Sequence, residues 1–285
     1  MPGVFAIKPI FENNKTPSMH SSFKDKVIWI TGASSGIGEA LAYAFSAAGA
    51  RLILSSRRAE ELERVRKACA DPGLVRVHPL DLVDISSLAA RTEQAIGLFG
   101  HIDIMVHNGG VTQRSLVVET GLNVHRQVME LDYFSYVALT KELLPHFIGR
   151  KAGHFVVMSS VMGKIGTPMR SAYAAAKHAL HGFFDCLRAE VSPVGVKVTV
   201  LTPGYIRTNI SKFAINKDGG KLGKVSADIE KGLEPEKAAE QILRAIEKGA
   251  YESFIGKFGM EKIALLLNRW APSFVIKKAP GAAPK

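Results

Sequence analysis

Short apolar runs alternate with segments of helical spacing along most of the chain. Val27 to Thr31 is the first such run, followed by a glycine-rich turn, a helical pattern through Ala48 and a second run at Leu52 to Leu54. The alternation continues with a helix from about Ala59, a strand near Leu74 to His78, a helix to Phe99 and a strand from Ile102 to His107. A long helix ending near Phe147 follows, then a strand at Phe155 to Met158, a helix from Ala172 to Val191 and a strand at Val196 to Leu201. Parallel neighbours need a right-handed crossover, which helix-length segments supply. The pattern therefore predicts a single α/β domain, a doubly wound parallel sheet with helices on both faces.

Beyond Thr208 the periodicity weakens. Asn209 to Ile229 mixes glycine and lysine without a clear period, and Pro235 opens a helix that runs to about Lys248. These features divide the chain into an arm (1–22), a catalytic domain (23–252) whose segment at about 209–234 reads as a mobile substrate lid, and a basic, partly apolar tail (253–285).

Composition narrows the function classes. The two cysteines, Cys69 and Cys186, form neither a disulfide framework nor a metal-type spacing, which fits a reducing compartment. The histidines show no metal-binding pattern, and no structural metal is expected. The net charge of +11 is uneven: from Ser253 onward six basic residues face one acidic residue. The basic residues accompany an apolar helix and no nucleic-acid reading element, so nucleic acid is not expected as a partner. No apolar run reaches the roughly 18 to 20 residues that span a bilayer, and the opening residues lack a secretory core. A cytoplasmic location is expected.

Thr31-Gly32-Ala33-Ser34-Ser35-Gly36-Ile37-Gly38 joins the first strand to the first helix. Glycines there permit a tight turn and let backbone approach a pyrophosphate at the helix N-terminus, as in Rossmann-type folds. At the end of the second strand, where an acidic residue would grip the ribose hydroxyl of NAD, the chain has Ser55-Ser56-Arg57-Arg58. Two guanidiniums would instead fork-bond a 2′-phosphate, so NADP(H) is the expected cofactor.

Tyr173 and Lys177 stand four apart in a predicted helix and so share a face. A free phenol has a pKa of about 10, and a nearby cation favours the phenolate, which suits a general acid or base for alcohol and carbonyl chemistry. With the Thr-Gly-x3-Gly-x-Gly loop, this Tyr-x3-Lys pair makes the sequence resemble the short-chain dehydrogenase/reductase family over about Lys26 to Thr208.

The resemblance implies further roles. A serine thirteen positions before the tyrosine orients the substrate oxygen in that family, and here it is Ser160. The family's Asn-Asn-Ala-Gly segment is matched by His107-Asn108-Gly109-Gly110 in altered form. Asp81-Leu82 corresponds to the adenine contact. Pro203-Gly204-Tyr205-Ile206-Arg207-Thr208 corresponds to the segment that holds the nicotinamide carboxamide. The family's long helix usually carries an asparagine that holds a relay water; the aligned residue here is Asp132, which puts the proton relay in question. The stretches Arg170 to Ala179, Phe183 to Glu190 and Pro203 to Asn209 are similar to the membrane-associated DHRS7-type reductases, which act on lipophilic carbonyls. Their usual N-terminal membrane anchor is not expected here. The family commonly forms homodimers or homotetramers.

Three functions remain: an NADP(H)-dependent reductase of lipophilic carbonyls, a 3-oxoacyl thioester reductase, or a catalytically weak nucleotide-binding protein, for which Asp132 and the altered segment argue. In the tail, Glu261 to Ile276 combines an apolar face with basic flanks. That pattern suits an interfacial helix in peripheral contact with an anionic membrane. A helix capping the sheet or a subunit contact is favoured over it, because leucine-rich helices more often pack in cores.

Overall fold

The computed structural model describes residues 20–223 and 227–278. The arm expected at 1–22 lies almost wholly outside these residues. Seven parallel strands form one sheet: β1 (Val27–Thr31), β2 (Arg51–Ser55), β3 (Val75–Val77), β4 (Ile104–His107), β5 (Gly153–Met158), β6 (Val196–Pro203) and β7 (Glu252–Ile255). Their order is β3-β2-β1-β4-β5-β6-β7, with β1 in register against β2 (Ile28 opposite Leu52) and against β4 (Ile28 opposite Ile104). The direction of winding reverses between β1 and β4. In open α/β sheets that reversal opens a crevice at the carboxyl ends of the strands.

Alternate strand residues feed two cores, as the two-residue period requires. Ile28, Ile30, Leu52, Leu54, Val106 and Val156 pack against α1 (Gly36–Ala47), α2 (Ala59–Ala68) and α8 (Pro235–Glu247). Val27, Trp29, Ile53, Met105, Phe155 and Val157 pack on the opposite face against α3 (Leu88–Phe99), α5 (Ser135–Arg150) and α6 (Ser171–Val191). The near-continuous apolar reading of the strands follows from this two-sided burial.

Three features depart from the sequence reading. β7 was not anticipated; it pairs with β6 and carries the sheet past residue 252 to Ile255. The long helix is interrupted: α4 (Leu122–Met129) passes through a π-helical turn at Glu130–Phe134 before α5 begins. The tail forms two helices, α9 (Met260–Trp270) and α10 (Pro272–Lys278), that meet at Ala271. A short helix, α7 (Ala227–Glu230), precedes α8.

Candidate active site

The loop after β1 is shaped by close backbone approaches. Gly32 has φ 64°, and a Cβ on it would lie 2.7 Å from the Gly109 Cα. A Cβ on Gly38 would lie 2.4 Å from the Gly32 carbonyl oxygen and 2.6 Å from Asn108 Nδ2, so the helix can close on the loop only without a side chain there. Thr31 Oγ1 accepts from the Asn108 and Gly109 amides at 3.0 and 3.2 Å, and Asn108 Nδ2 donates to the Thr31 carbonyl at 3.0 Å. Asn108 thereby ties β4 to the loop. No side chain caps α1 at Ser35, which leaves the first-turn N–H groups available to an anion.

Arg57 and Arg58 follow β2. Arg58 donates from Nη2 to Ser34 Oγ at 3.1 Å. Neither arginine belongs to an ion pair among the described residues, whereas nearby Arg64 is held by Glu39 at 2.6 Å. The hydrogen bond from Arg64 keeps the Glu39 carboxyl below its usual range.

At the other end, Tyr173 and Lys177 lie near the start of α6. Ala172 and Ala176 on the same helix pack against Val124 and Val128 of α4. Buried Lys177 donates from Nζ to the Met158 carbonyl at 3.1 Å, and its ammonium sits 5.7 Å from the centre of the Tyr173 ring. Asp132, on the π-helical turn, is fully buried; its Oδ1 accepts from the Val111 amide at 2.8 Å and its Oδ2 lies 3.3 Å from Lys177 Nζ. Burial pushes the Asp132 carboxyl up, and the Lys177 charge offsets only part of that. Burial is the largest single influence on Lys177 and disfavours its ammonium, but Asp132, Tyr136 and Tyr173 together outweigh it and hold the lysine above its usual range. Asp132 thus meets the lysine directly. Ser160 follows β5 and accepts from the Met162 amide at 3.1 Å. Its neighbour Ser159 donates to the Lys177 carbonyl at 3.1 Å, fixing β5 to α6.

These two ends share one cavity of about 800 Å³. It is lined by Gly32, Ser34, Ser35, Gly36, Ile37, Arg57, Arg58, Asp81, Leu82, Asn108, Gly109, Asp132, Ser160, Tyr173, Lys177, Pro203, Gly204, Ile206 and Thr208. Gly38 is not among the lining residues and acts beneath the loop. His107 faces the core: it stacks on Tyr136 at 5.0 Å, contacts Thr140 Oγ1 at 2.8 Å, and burial pushes its imidazole down to about 3.

Sequence reasoning gave no role to the residues that brace α6. Arg170 donates to Thr112 Oγ1 at 2.8 Å and to the Gln113 carbonyl at 3.2 Å. Gln113, fully buried, accepts at Oε1 from the Ala172 amide and donates from Nε2 to the Ser115 carbonyl. No short motif announces Gln113. Its contacts exist only after β4, α6 and the segment expected as a lid have come together. Phe213, Ile215 and Lys221 of that segment line the cavity, and Ile215 is pinned: its amide donates to the Thr112 carbonyl at 2.8 Å, and the Arg114 amide donates to its carbonyl at 2.9 Å.

The profile of the short chain dehydrogenase family matches residues 26–219. The chain belongs to this family. A bovine relative named dehydrogenase/reductase SDR family member 7B is 41% identical over 274 residues, covering 94% of this chain and 84% of that protein. A Drosophila melanogaster protein named dehydrogenase/reductase SDR family protein 7-like is 40% identical, covering 94% and 83%. Among solved structures, a Streptomyces avermitilis short-chain dehydrogenase is 32% identical with a TM-score of 0.77, covering 89% of this chain and 94% of the other. An alcohol dehydrogenase from Thermococcus sibiricus, solved with 5-hydroxy-NADP, is 25% identical with a TM-score of 0.71, covering 82% and 97%. A Burkholderia phymatum homologue in complex with NAD shares the fold at 21% identity and a TM-score of 0.77, covering 92% and 98%. As a short-chain dehydrogenase of DHRS7 type, the chain is an oxidoreductase of a family that uses NAD(P)(H).

Proposed function

We propose that this short-chain dehydrogenase is NADP(H)-dependent and interconverts a carbonyl and a secondary alcohol on a lipophilic small molecule. The observation that carries the reading is the single cavity, with the glycine loop and two arginines at one end and Ser160, Tyr173 and Lys177 at the other. The N–H groups at the start of α1 bind the diphosphate, Arg57 and Arg58 the 2′-phosphate, and Asp81 the adenine amine. The Pro203 to Thr208 segment holds the carboxamide. The bound dinucleotide supplies or accepts the hydride. Ser160 donates a hydrogen bond to the substrate oxygen, and the Tyr173 hydroxyl gives that oxygen its proton as the carbonyl is reduced. The Lys177 ammonium keeps positive charge beside the phenol, and the Asp132 carboxylate keeps the lysine charged. Val111, Leu131, Val161, Met162, Phe213 and Ile215 give the substrate end its apolar lining.

Relatives solved with either cofactor leave the two guanidiniums as the specific argument for NADP(H). Turnover proceeds in homodimers or homotetramers, as is common in the family, and light scattering measures that state. A second reading, a nucleotide-binding protein with weak turnover, is favoured by one observation, the buried carboxylate on Lys177. A screen of NADPH consumption across steroid, retinal, acyl-thioester and aliphatic ketone substrates separates them, with Tyr173→Phe as the blank. Substrate-dependent consumption that the variant lacks supports the reductase, and the acyl-thioester arm tests a 3-oxoacyl thioester reductase. NADPH binding without turnover on any substrate supports the second reading.

A further inference from the structure

The helix α9 is mounted with its apolar side outward. Its exposed apolar residues, Met260, Ile263, Leu266, Leu267 and Trp270, recur at helical spacing on one face, and the remaining exposed residue of the helix is Arg269. No residue of the helix is fully buried. The side turned to the protein carries polar anchors instead: Glu261 Oε1 accepts from the Tyr205 amide at 2.8 Å, and Asn268 Nδ2 donates to the Lys164 carbonyl at 3.0 Å. Only Ala264 and Leu265 of the helix, with Val275 of α10, join the small cluster around Val161 and Ile165. A helix capping the sheet would show the reverse arrangement. Trp270 is 81% exposed and Phe258, just before the helix, 79%.

The charges around this face are of one sign. Lys262 and Arg269 run along one edge of the stripe, Lys277 and Lys278 end α10, and Lys257 before the helix donates to the Lys231 carbonyl at 2.7 Å. The ammonium of Lys262 lies 5.2 Å from the Phe258 ring centre, the Arg269 guanidinium 5.9 Å from Trp270 and the Lys278 ammonium 5.5 Å from Phe274. The one carboxylate of the tail, Glu261, is directed at the cavity wall beside Gly204. Apolar rings with cations beside them match the layered chemistry of a lipid surface, where rings enter the acyl boundary and cations meet anionic headgroups. A second copy fits worse: across a two-fold axis the same patch would meet itself, bringing cations to both sides with no carboxylate of the patch to pair them. No helix among the described residues is long and apolar enough to cross a membrane.

We infer that α9 and α10 form a docking surface for the face of an anionic bilayer, with Phe258, Leu266 and Trp270 inserted and the flanking lysines and arginine on the headgroups. The inference is independent of the catalytic reading, since its readout is partitioning and not turnover. The full chain is floated with phosphatidylcholine vesicles and with vesicles containing phosphatidylserine, at low and high salt. Binding to the anionic vesicles at least tenfold stronger than to the neutral ones, and weakened by salt, is expected. Leu266→Glu with Trp270→Glu, and separately Lys262→Glu with Arg269→Glu, should each reduce it at least tenfold while circular dichroism and the thermal midpoint stay unchanged. Absence of binding to the anionic vesicles, or binding by both variants equal to that of the parent, overturns the inference. So does a chain that ignores vesicles but drops to a smaller assembly with Leu266→Glu and Trp270→Glu, which would make the face a contact between copies.

Discussion

Replacing Arg57 and Arg58 together by alanine is expected to remove the preference for NADPH over NADH. Hydrogen bonds to charged groups contribute about 1.5–3 kcal/mol. Both guanidiniums are exposed, which places each at the lower end, near a tenfold change in an equilibrium constant for about 1.4 kcal/mol. Arg58 is held in place by Ser34 at 3.1 Å and so loses less freedom when a phosphate arrives; it should account for the larger share. The double variant should therefore lose about a hundredfold in kcat/KM for NADPH. The value for NADH should stay nearly constant. Raising ionic strength should narrow the gap in the parent enzyme and not in the variant. Initial rates with each nucleotide at saturating substrate measure this directly. A parallel fall with both nucleotides, or a variant that keeps its preference, would refute the assignment of these arginines to the 2′-phosphate.

Asp132→Asn should leave turnover at neutral pH equal or higher; a collapse would show that the carboxylate itself is required. Because Asp132 is the foremost of the groups that raise the Lys177 ammonium against burial, the variant should also lose activity at a lower pH on the alkaline side, as a pH–rate profile would show. Gly38→Ala forces a methyl against the Gly32 carbonyl and Asn108, and overpacking of this kind costs about 1–3 kcal/mol. Its thermal midpoint should fall and NADPH should stabilise it less than the parent. His107 is held down to about 3, and His154 and His181 to about 4, in each case first by burial. Their contribution to stability is complete above the ordinary value near 6.5 and is lost as pH falls through their folded values, at about 1.4 kcal/mol per pH unit each. Asp132, whose carboxyl is raised, works against that trend at the acid end. Denaturant midpoints should drop between neutral pH and mild acid, and a flat curve would contradict the neutral burial of these rings.

The parts legible in the sequence were those fixed by local rules. β1 was readable because Val27 to Thr31 is apolar throughout and ends at a glycine turn, and α6 because its apolar positions keep one period from Ala172 to Val191. β7 escaped because Glu252 to Ile255 is a short edge strand with only Ile255 buried. The π-helical turn escaped for a different reason. One extra residue per turn shifts the register without changing composition, yet it lies where Asp132 meets Lys177. Gln113 and the pinning of Ile215 depend on partners far along the chain, which periodicity does not contain. In the tail the amphipathic spacing of α9 was visible, but which side faced the protein was decided by the anchors Glu261 and Asn268.

The proposed reaction passes a hydride between NADPH and a carbonyl carbon, with Tyr173 as the proton donor. NADPH carrying deuterium on the transferable face of its nicotinamide tests it, using the most active carbonyl from the substrate screen and mass spectrometry of the product. One deuterium is expected on the carbinol carbon in the parent enzyme, and no labelled alcohol above background with Tyr173→Phe. Product without the label, or labelled product formed equally well by the variant, would contradict it.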